Sequence, residues 1–271
     1  MSFLAAAGWT VLLSLGVETA ISVTESVRPG AVGDLVNVTA CHLLVHLAAV
    51  LMLVRIYAAE RPLRETLAVR RTAPATYVLA PLAGAALYPA LARLDDLAAA
   101  RFPQDPRDAE VIEQLTRADT VAQRVVLVAA LVVVMPLGEE LFFRGVLYGR
   151  LRQERPVLTA LLATSGFFAL SRLEPRTLGS TAALGLLTTG LRAQTGSTIP
   201  ALLAHGAFFL VPLAPLAWGR PVLEDDAFSP TVVAVTLAAA GLCLAGTMLA
   251  ARSHPAARLA RGADDPVTEI V

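Results

Sequence analysis

The stretch VVLVAALVVVMPLGEELFFRG, residues 125–145, decides the class of fold. Its first 13 residues carry no charged side chain, and Glu139, Glu140 and Arg144 then follow within the same apolar run. A membrane-spanning helix needs about 20 predominantly apolar residues. Because ionisable side chains are costly to bury in such a helix, they are candidates for a functional site. The stretch therefore predicts a membrane helix that carries functional charges.

The composition of the whole chain agrees with a membrane protein. Of its 271 residues, 56% are hydrophobic and only 16% are charged, and the mean hydropathy is +0.64. Soluble domains carry about 25% charged residues. The 22 basic and 22 acidic residues cancel, so no overall positive charge favours nucleic acid as a partner. The composition excludes a disordered chain and predicts an integral membrane protein whose surroundings are the lipid bilayer.

Apolar segments of spanning length recur along the chain. The candidate spans are residues 3–23, 36–58, 74–92, 125–149, 156–173, 177–193, 197–217 and 229–251. The fifth and sixth are short. None of them alternates apolar and polar residues as a β-barrel strand would, so the spans are helices. The sequence predicts an all-α fold, a polytopic membrane helical bundle of about eight transmembrane helices.

Polar residues 93–124 separate the third span from the fourth. Apolar residues recur at helical spacing from Asp108 to Arg124, which predicts a surface or interfacial helix. We divide the single integral-membrane domain into three parts. These are the N-terminal helices with the interfacial helix (1–124), a core (125–217), and a last membrane helix with a polar tail (218–271).

The distribution of arginine predicts the orientation. With eight spans, the side that carries both termini holds 12 arginines against nine on the other side. Cytoplasmic loops carry an excess of basic residues. We therefore expect a multi-pass protein of a bacterial inner membrane with both termini in the cytoplasm.

The two adjacent glutamates are expected to differ in role. Glu140 and Arg144 are i and i+4 on a helix, so they share a face and can pair. Glu139 lies about 100° around the helix, where it is free to face a cavity. In the alternative interpretation the span ends near Leu137, and these charges form a solvated helix end.

A second polar point lies further along the chain. Pro200 falls in the first turn of a predicted helix, where proline is tolerated. His205 then lies about two turns into an otherwise apolar segment. It is either a partner of the glutamates or a core histidine with a purely structural hydrogen bond.

Together these residues resemble the CPBP family of intramembrane proteases, which includes the CAAX prenyl endopeptidase and the bacteriocin-processing and immunity proteins. The family's first motif, two glutamates, three residues and an arginine, matches Glu139, Glu140 and Arg144. The Phe of its second motif matches Phe168, and the His of its third motif matches His205. The resemblance covers residues 120–215.

The resemblance implies a mechanism. Glu139 would activate a water molecule that attacks a peptide bond of a membrane-associated protein or peptide. The His of the second motif would assist that step, and the His and Asn of the third motif would stabilise the oxyanion. The implied cofactor is none or a divalent metal, because metal-dependent and glutamate-only mechanisms have both been proposed for the family.

Two positions depart from the family pattern. Arg172 occupies the place of the second-motif His, and Phe209 occupies the place of the third-motif Asn. An arginine stays protonated, so it is neither a general base nor a metal ligand. It can still pair with Glu139 or donate to an oxyanion. Phe209 cannot donate a hydrogen bond, and the loss of an imidazole weakens the metal-dependent mechanism most.

His42 and His46 offer a replacement for the missing imidazole. They are i and i+4 on the second predicted span, so they share one helix face. If this face meets Glu139, one of them serves as a substitute base or metal ligand. In the alternative, they hydrogen bond to a neighbouring helix.

Three functions follow from these patterns. The first is an intramembrane endopeptidase with a divergent site, acting in protein maturation or sorting. The second is a proteolytically inactive protein of the same fold that binds a partner or client. The third is a proton-coupled transporter or channel, which would need paired half-helices or a repeat, and the sequence contains neither. The first is favoured.

Overall fold

The computed structural model describes residues 1–220, 222 and 228–253. Within these residues the chain forms ten helices and no strand. They are α1 (Phe3–Val27), α2 (Leu35–Tyr57), α3 (Leu63–Thr66), α4 (Thr76–Ala99), α5 (Pro106–Thr116), α6 (Val121–Arg152), α7 (Val157–Leu170), α8 (Leu178–Thr195), α9 (Ile199–Leu213) and α10 (Pro230–Ser253). The polar tail predicted after Arg252 falls on residues 254–271, outside the described residues.

Six of the described helices are long and apolar enough to cross a membrane: α1, α2, α4, α6, α10, and α9 together with the short 3₁₀ turn that follows it. The predicted all-α membrane bundle is confirmed. The two short candidate spans form α7, with 14 residues, and α8, with 18 residues. Neither is among the six, so the number of eight transmembrane helices stays a prediction.

The predicted interfacial helix is shorter than expected. It forms α5, begins at Pro106 and ends at Thr116, because Arg117 adopts an extended backbone. The Thr120 side chain then accepts from the Gln123 N–H, and the Gln123 side chain accepts from the Thr120 N–H. This capping box starts α6 at Val121, so residues 121–124 belong to the membrane helix. The prediction of one helix over 108–124 was wrong because it overlooked this start signal.

Two hydrogen bonds fix one end of the bundle. The hydroxyl groups of Ser197 and Thr198, between α8 and α9, donate to the carbonyl oxygens of Arg70 and Leu67 at 2.7 Å each. The segment after α2 therefore lies beside the α8–α9 turn. The C-terminal end of α6 lines the same region. We call this the arginine-rich end, comprising residues 58–75, 149–156 and 192–198.

The opposite end holds α5 and the turn between α7 and α8. Arg176 in that turn donates to Gln104 at 2.7 Å. It follows that α7 leads away from the arginine-rich end and that α8 returns to it. Because Arg172, two residues past the end of α7, contacts Glu139 near the middle of α6, α7 extends along only part of α6.

The central helix α6 is not a regular α-helix. Two π-helical segments, Ala129–Val134 and Leu141–Leu147, flank the turn that carries the glutamates. At their ends the backbone N–H groups of Met135 and Tyr148 donate to carbonyl oxygens five residues earlier. Such segments are rare and are frequently found at functional sites. They widen α6 on both sides of Glu139 and Glu140, which the apolar pattern did not predict.

Small residues let the helices around the glutamates approach closely. A Cβ atom on Gly84 of α4 would overlap the carbonyl oxygen of Ala204 in α9. A Cβ atom on Gly206 would lie 2.5 Å from the carbonyl oxygen of Val132 in α6. Close backbone contact at small residues is a common means of helix association in membranes. Here it presses α9, and with it His205, between α4 and α6.

Candidate active site

Glu140 lies in a fully buried, hydrogen-bonded cluster. Its Oε1 accepts from Arg144 Nη1 at 2.9 Å and lies 2.8 Å from His205 Nδ1. The side chains of all three residues are 0% exposed. The predicted pairing of Glu140 with Arg144 is present, because i and i+4 remain on one face of α6. The alternative of a solvated helix end at Leu137 was wrong.

The other donors of Arg144 are also engaged. Its Nε donates to Thr189 Oγ1, and its Nη2 donates to the Gly185 carbonyl oxygen, both at 3.2 Å. Its guanidinium lies 4.3 Å from the ring centre of Phe168. Thus Arg144 fastens α6 to α8 while it holds Glu140. The contribution of Thr189 and Gly185 was not predicted, since neither residue type marks an arginine partner in sequence.

Glu139 is buried, with 3% of the residue exposed, and contacts three other helices or turns. Its Oε2 accepts from Arg172 Nη2 at 2.8 Å and lies 3.7 Å from His205 Nε2. Its Oε1 lies 3.3 Å from His42 Nε2. The two carboxylate oxygens therefore have different surroundings. One faces Arg172 and His205, and the other faces α2.

The histidines of α2 meet Glu139, as the predicted face allowed. The His42 and His46 rings stack with their centres 4.0 Å apart. The Nδ1 atom of His46 lies 2.8 Å from the carbonyl oxygen of His42. When Nδ1 carries the proton and donates to that carbonyl, Nε2 keeps its lone pair. The ligand atoms of His42, His46 and Glu139 lie within 4.8 Å of one another.

A cavity of about 200 Å³ opens beside this group. Glu139, His42 and His46 form part of its wall, together with residues of α1 such as Ser14 and Glu18. The Ser14 hydroxyl donates to the carbonyl oxygen of Ser171 at 3.0 Å, next to Arg172. Ser14 thereby ties α1 to the turn that carries Arg172, a positioning role for which the sequence offers no signal.

Arg172 separates this cavity from a second one. The second cavity, of about 180 Å³, is lined by Arg172 and by Asp95, Thr177, Ser180, Thr181, Leu184, Phe208 and Phe209. The Arg172 side chain is 32% exposed, whereas that of Glu139 is 4% exposed. The guanidinium is therefore the accessible partner of the pair. Arg172 lines both cavities, whereas Glu139 lines only the first.

The two phenylalanines at motif positions enclose His205. The Phe168 ring meets the imidazole edge-on, with 5.7 Å between centres. The Phe209 ring lies 5.4 Å away at an angle of 30°. Both rings restrict the imidazole, and Phe209 adds no hydrogen-bond donor where the family pattern has an amide.

Comparison with known families finds a match to the part of the chain that carries most of this site. Residues 121–211 match the family model of type II CAAX prenyl endopeptidase Rce1-like proteins. Residues 121–211 are therefore similar to this family. The match covers roughly a third of the chain and contains Glu139, Glu140, Arg144, Arg172 and His205.

The Rce1-like match leaves out α2, so His42 and His46 lie outside it. No curated protein and no solved structure matched the chain. The description of that family, type II CAAX prenyl endopeptidase, agrees with the resemblance seen in the sequence. The roles of the individual site residues rest on the geometry described above.

Proposed function

We propose that this protein is an intramembrane endopeptidase that hydrolyses a peptide bond of a membrane-associated protein or peptide. One observation carries the proposal. The buried Glu139 carboxylate lies beside a cavity, between His42 of α2 and His205 of α9. A carboxylate with an imidazole on each side can activate water and pass its proton on.

In the proposed reaction, Glu139 removes a proton from a water molecule in the α1–α2 cavity, and the hydroxide attacks the peptide carbonyl carbon. The carbon–nitrogen bond breaks when the tetrahedral intermediate collapses, and the leaving amine takes up the proton. The acid and the amine are the products. Hydrolysis of this kind needs no co-reactant besides water.

Glu140 and Arg144 are positioning residues in this proposal. Glu140 accepts the Nδ1–H of His205, so Nε2 keeps its lone pair and points toward Glu139. Arg144 holds Glu140 in place through its guanidinium. The cluster thereby fixes both the tautomer and the direction of the imidazole that assists proton transfer.

Arg172 supplies the oxyanion donor that Phe209 cannot. Its guanidinium is exposed to both cavities and donates to Glu139 in the resting protein. A donor at this place is suited to stabilise the negative charge that develops on the peptide oxygen. Pairing with Arg172 also weakens Glu139 as a base. When substrate binds, Arg172 donates to the peptide oxygen instead of to Glu139, and the carboxylate is then free to act as the base.

A divalent metal would be held by His42, His46 and Glu139. Two imidazoles and one carboxylate are a donor set found in catalytic zinc sites, and the Nδ1 contact of His46 to a carbonyl leaves Nε2 available. When bound, a metal supplies Lewis acidity and a more acidic water molecule. With a metal held there, Glu139 and His42 would serve as its ligands rather than as base and proton carrier, whereas Glu140 and Arg144 would still position His205.

Two observations favour a second function, that of a client-binding protein without proteolytic activity. The Arg172–Glu139 ion pair occupies one oxygen of the proposed base, and Phe209 stacks near His205. If the Arg172–Glu139 pair stays intact when a peptide segment enters the cavities, the protein would bind that segment without cutting it. The proposed location, an inner membrane with cytoplasmic termini, suits both functions.

The deciding experiment compares cells that carry wild-type protein, Glu139→Gln, or Glu113→Gln as a control on the exposed face of α5. Terminal-peptide proteomics would measure uncleaved membrane-protein precursors. We expect a specific precursor to accumulate with Glu139→Gln only, because the amide cannot act as a base. Unchanged processing, with the variant present and helical at wild-type levels, would refute the peptidase and favour the client-binding protein.

A further inference from the structure

A third cavity, of about 250 Å³, lies at the arginine-rich end of the bundle, away from Glu139. It is lined by Arg61, Glu65, Thr66, Arg70, Val146, Gly149, Arg150, Gln153 and Arg192. These residues come from three separate parts of the chain: the segment after α2, the end of α6 and the end of α8. Four arginines and one glutamate share this small space.

The walls of the cavity are well fixed. The Arg192 residue is 3% exposed, and its Nε donates to the Arg144 carbonyl oxygen at 3.2 Å. Arg150 Nη1 donates to Gln153 Oε1 at 3.0 Å. The segment that carries Arg70 is bound through its own carbonyl oxygen to Ser197. Arg192, Arg150 and the segment that carries Arg70 are thus each held by a hydrogen bond within the protein.

The lining of the cavity carries an excess of positive charge, because it contains four arginines and one glutamate. In the part of the chain that the structure describes, Arg61, Arg70 and Arg150 form no ion pair with a carboxylate, although Glu65 lines the same cavity. Charges of one sign held together repel one another, and an anion that enters between them relieves that repulsion. Guanidinium groups suit phosphate oxygens because each can donate two parallel hydrogen bonds.

The position of the cavity narrows the choice of anion. It lies where α2, α6 and α8 end, at the boundary of the apolar segments. Basic pockets between membrane helices at such boundaries bind the head groups of anionic lipids. A cavity of about 250 Å³ accommodates a phosphate head group, while the acyl chains would lie along the exposed apolar helices outside.

We propose that the Arg61–Arg70–Arg150 cavity is a phosphate-binding site, whose ligand at the membrane boundary is the head group of an anionic phospholipid. The site is independent of the Glu139 cluster and does not depend on the proposed proteolysis.

The test uses the purified full chain in detergent. Saturable binding is measured by native mass spectrometry with short-chain phosphatidylglycerol, with phosphatidylcholine, and with inorganic phosphate alone. The variants are Arg61→Gln/Arg70→Gln and, as a control with exposed arginines near the opposite end, Arg101→Gln/Arg107→Gln. Loss of two basic groups near a membrane surface should weaken phosphatidylglycerol binding by roughly tenfold or more.

The separate arms identify the source of the phosphate. Binding of phosphatidylglycerol but not of phosphatidylcholine or inorganic phosphate supports the anionic lipid, and binding of inorganic phosphate that competes with the lipid supports a free phosphate compound. Equal binding of the two lipids would overturn the proposal. Glu65→Gln removes the one negative charge in the cavity lining, so it should tighten binding of either phosphate ligand severalfold. This variant tests the proposal even if the double arginine variant fails to fold. Equal binding by wild type and Arg61→Gln/Arg70→Gln, or no saturable binding in any arm, would overturn the proposal.

Discussion

Arg172 donates a 2.8 Å hydrogen bond to Oε2 of Glu139, although the two residues are 33 positions apart. This pair joins the central helix α6 to the turn after α7, and it places a permanent cation beside the proposed base. The other oxygen of Glu139 faces His42 and the cavity. The chemistry of the site therefore depends on whether Arg172 serves the reaction or blocks it.

Substitution of Arg172 distinguishes these two roles. We expect Arg172→Leu to lower peptidase activity by about a hundredfold, the usual cost of removing one oxyanion donor. Arg172→His should retain more activity, because an imidazole also donates. Cleavage of the precursor identified with Glu139→Gln is the measurement. Higher activity in Arg172→Leu than in wild type would show that the arginine blocks the site.

The affinity for zinc should respond to the same side chain. Removal of a cation 2.8 Å from a ligand oxygen lowers the electrostatic cost of placing a dication at His42, His46 and Glu139. We expect Arg172→Ala to bind Zn²⁺ at least about tenfold more tightly than wild type, measured by competition with a chromophoric chelator. His46→Ala on the same background should reverse the gain. Equal affinities of wild type and Arg172→Ala would contradict the proposed ligand set.

The buried Glu140–Arg144 pair should be important for stability. Arg144→Met leaves a carboxylate buried without its main partner, and breaking a buried pair in this way costs about 3–5 kcal/mol. We expect a large fall in the thermal unfolding midpoint in detergent, with Arg107→Met on exposed α5 unchanged as the control. An unfolding midpoint near that of wild type would contradict this prediction and would mean that water takes over the hydrogen bond of Arg144 to Glu140.

The close approach of α4 to α9 gives a matched pair of glycine substitutions. A methyl group on Gly84 would overlap the Ala204 carbonyl oxygen, next to His205, whereas a methyl group on Gly190 meets no atom within 4 Å. We expect Gly84→Ala to destabilise the protein by about 1–3 kcal/mol or more and to lower activity. Gly190→Ala should be neutral or slightly stabilising. Equal unfolding midpoints for the two variants would show that α4 can move away from α9 to make room for the methyl group without loss of stability.

The sequence predicted the helices better than their ends or their inner geometry. The membrane segments follow from long apolar runs, so all six long helices coincide with predicted spans. The start of α6 at Val121 was missed because the capping box lies in polar residues outside the apolar run. The π-helical segments around Glu139 were missed because an apolar run predicts a helix but does not distinguish π-helical from α-helical turns.

By itself, the sequence determined the apolar helices and the pairing of Glu140 with Arg144, because both depend on residues adjacent on one helix. It also identified His42 and His46 as one helix face. Only the tertiary structure decided that this face meets Glu139, that Arg172 occupies the second oxygen, and that His205 links both glutamates. These contacts join residues 33 to 97 positions apart, so they depend on the packing of α1, α2, α4 and α9 around α6. Sequence spacing specifies which side chains share a helix face, and packing specifies which faces meet.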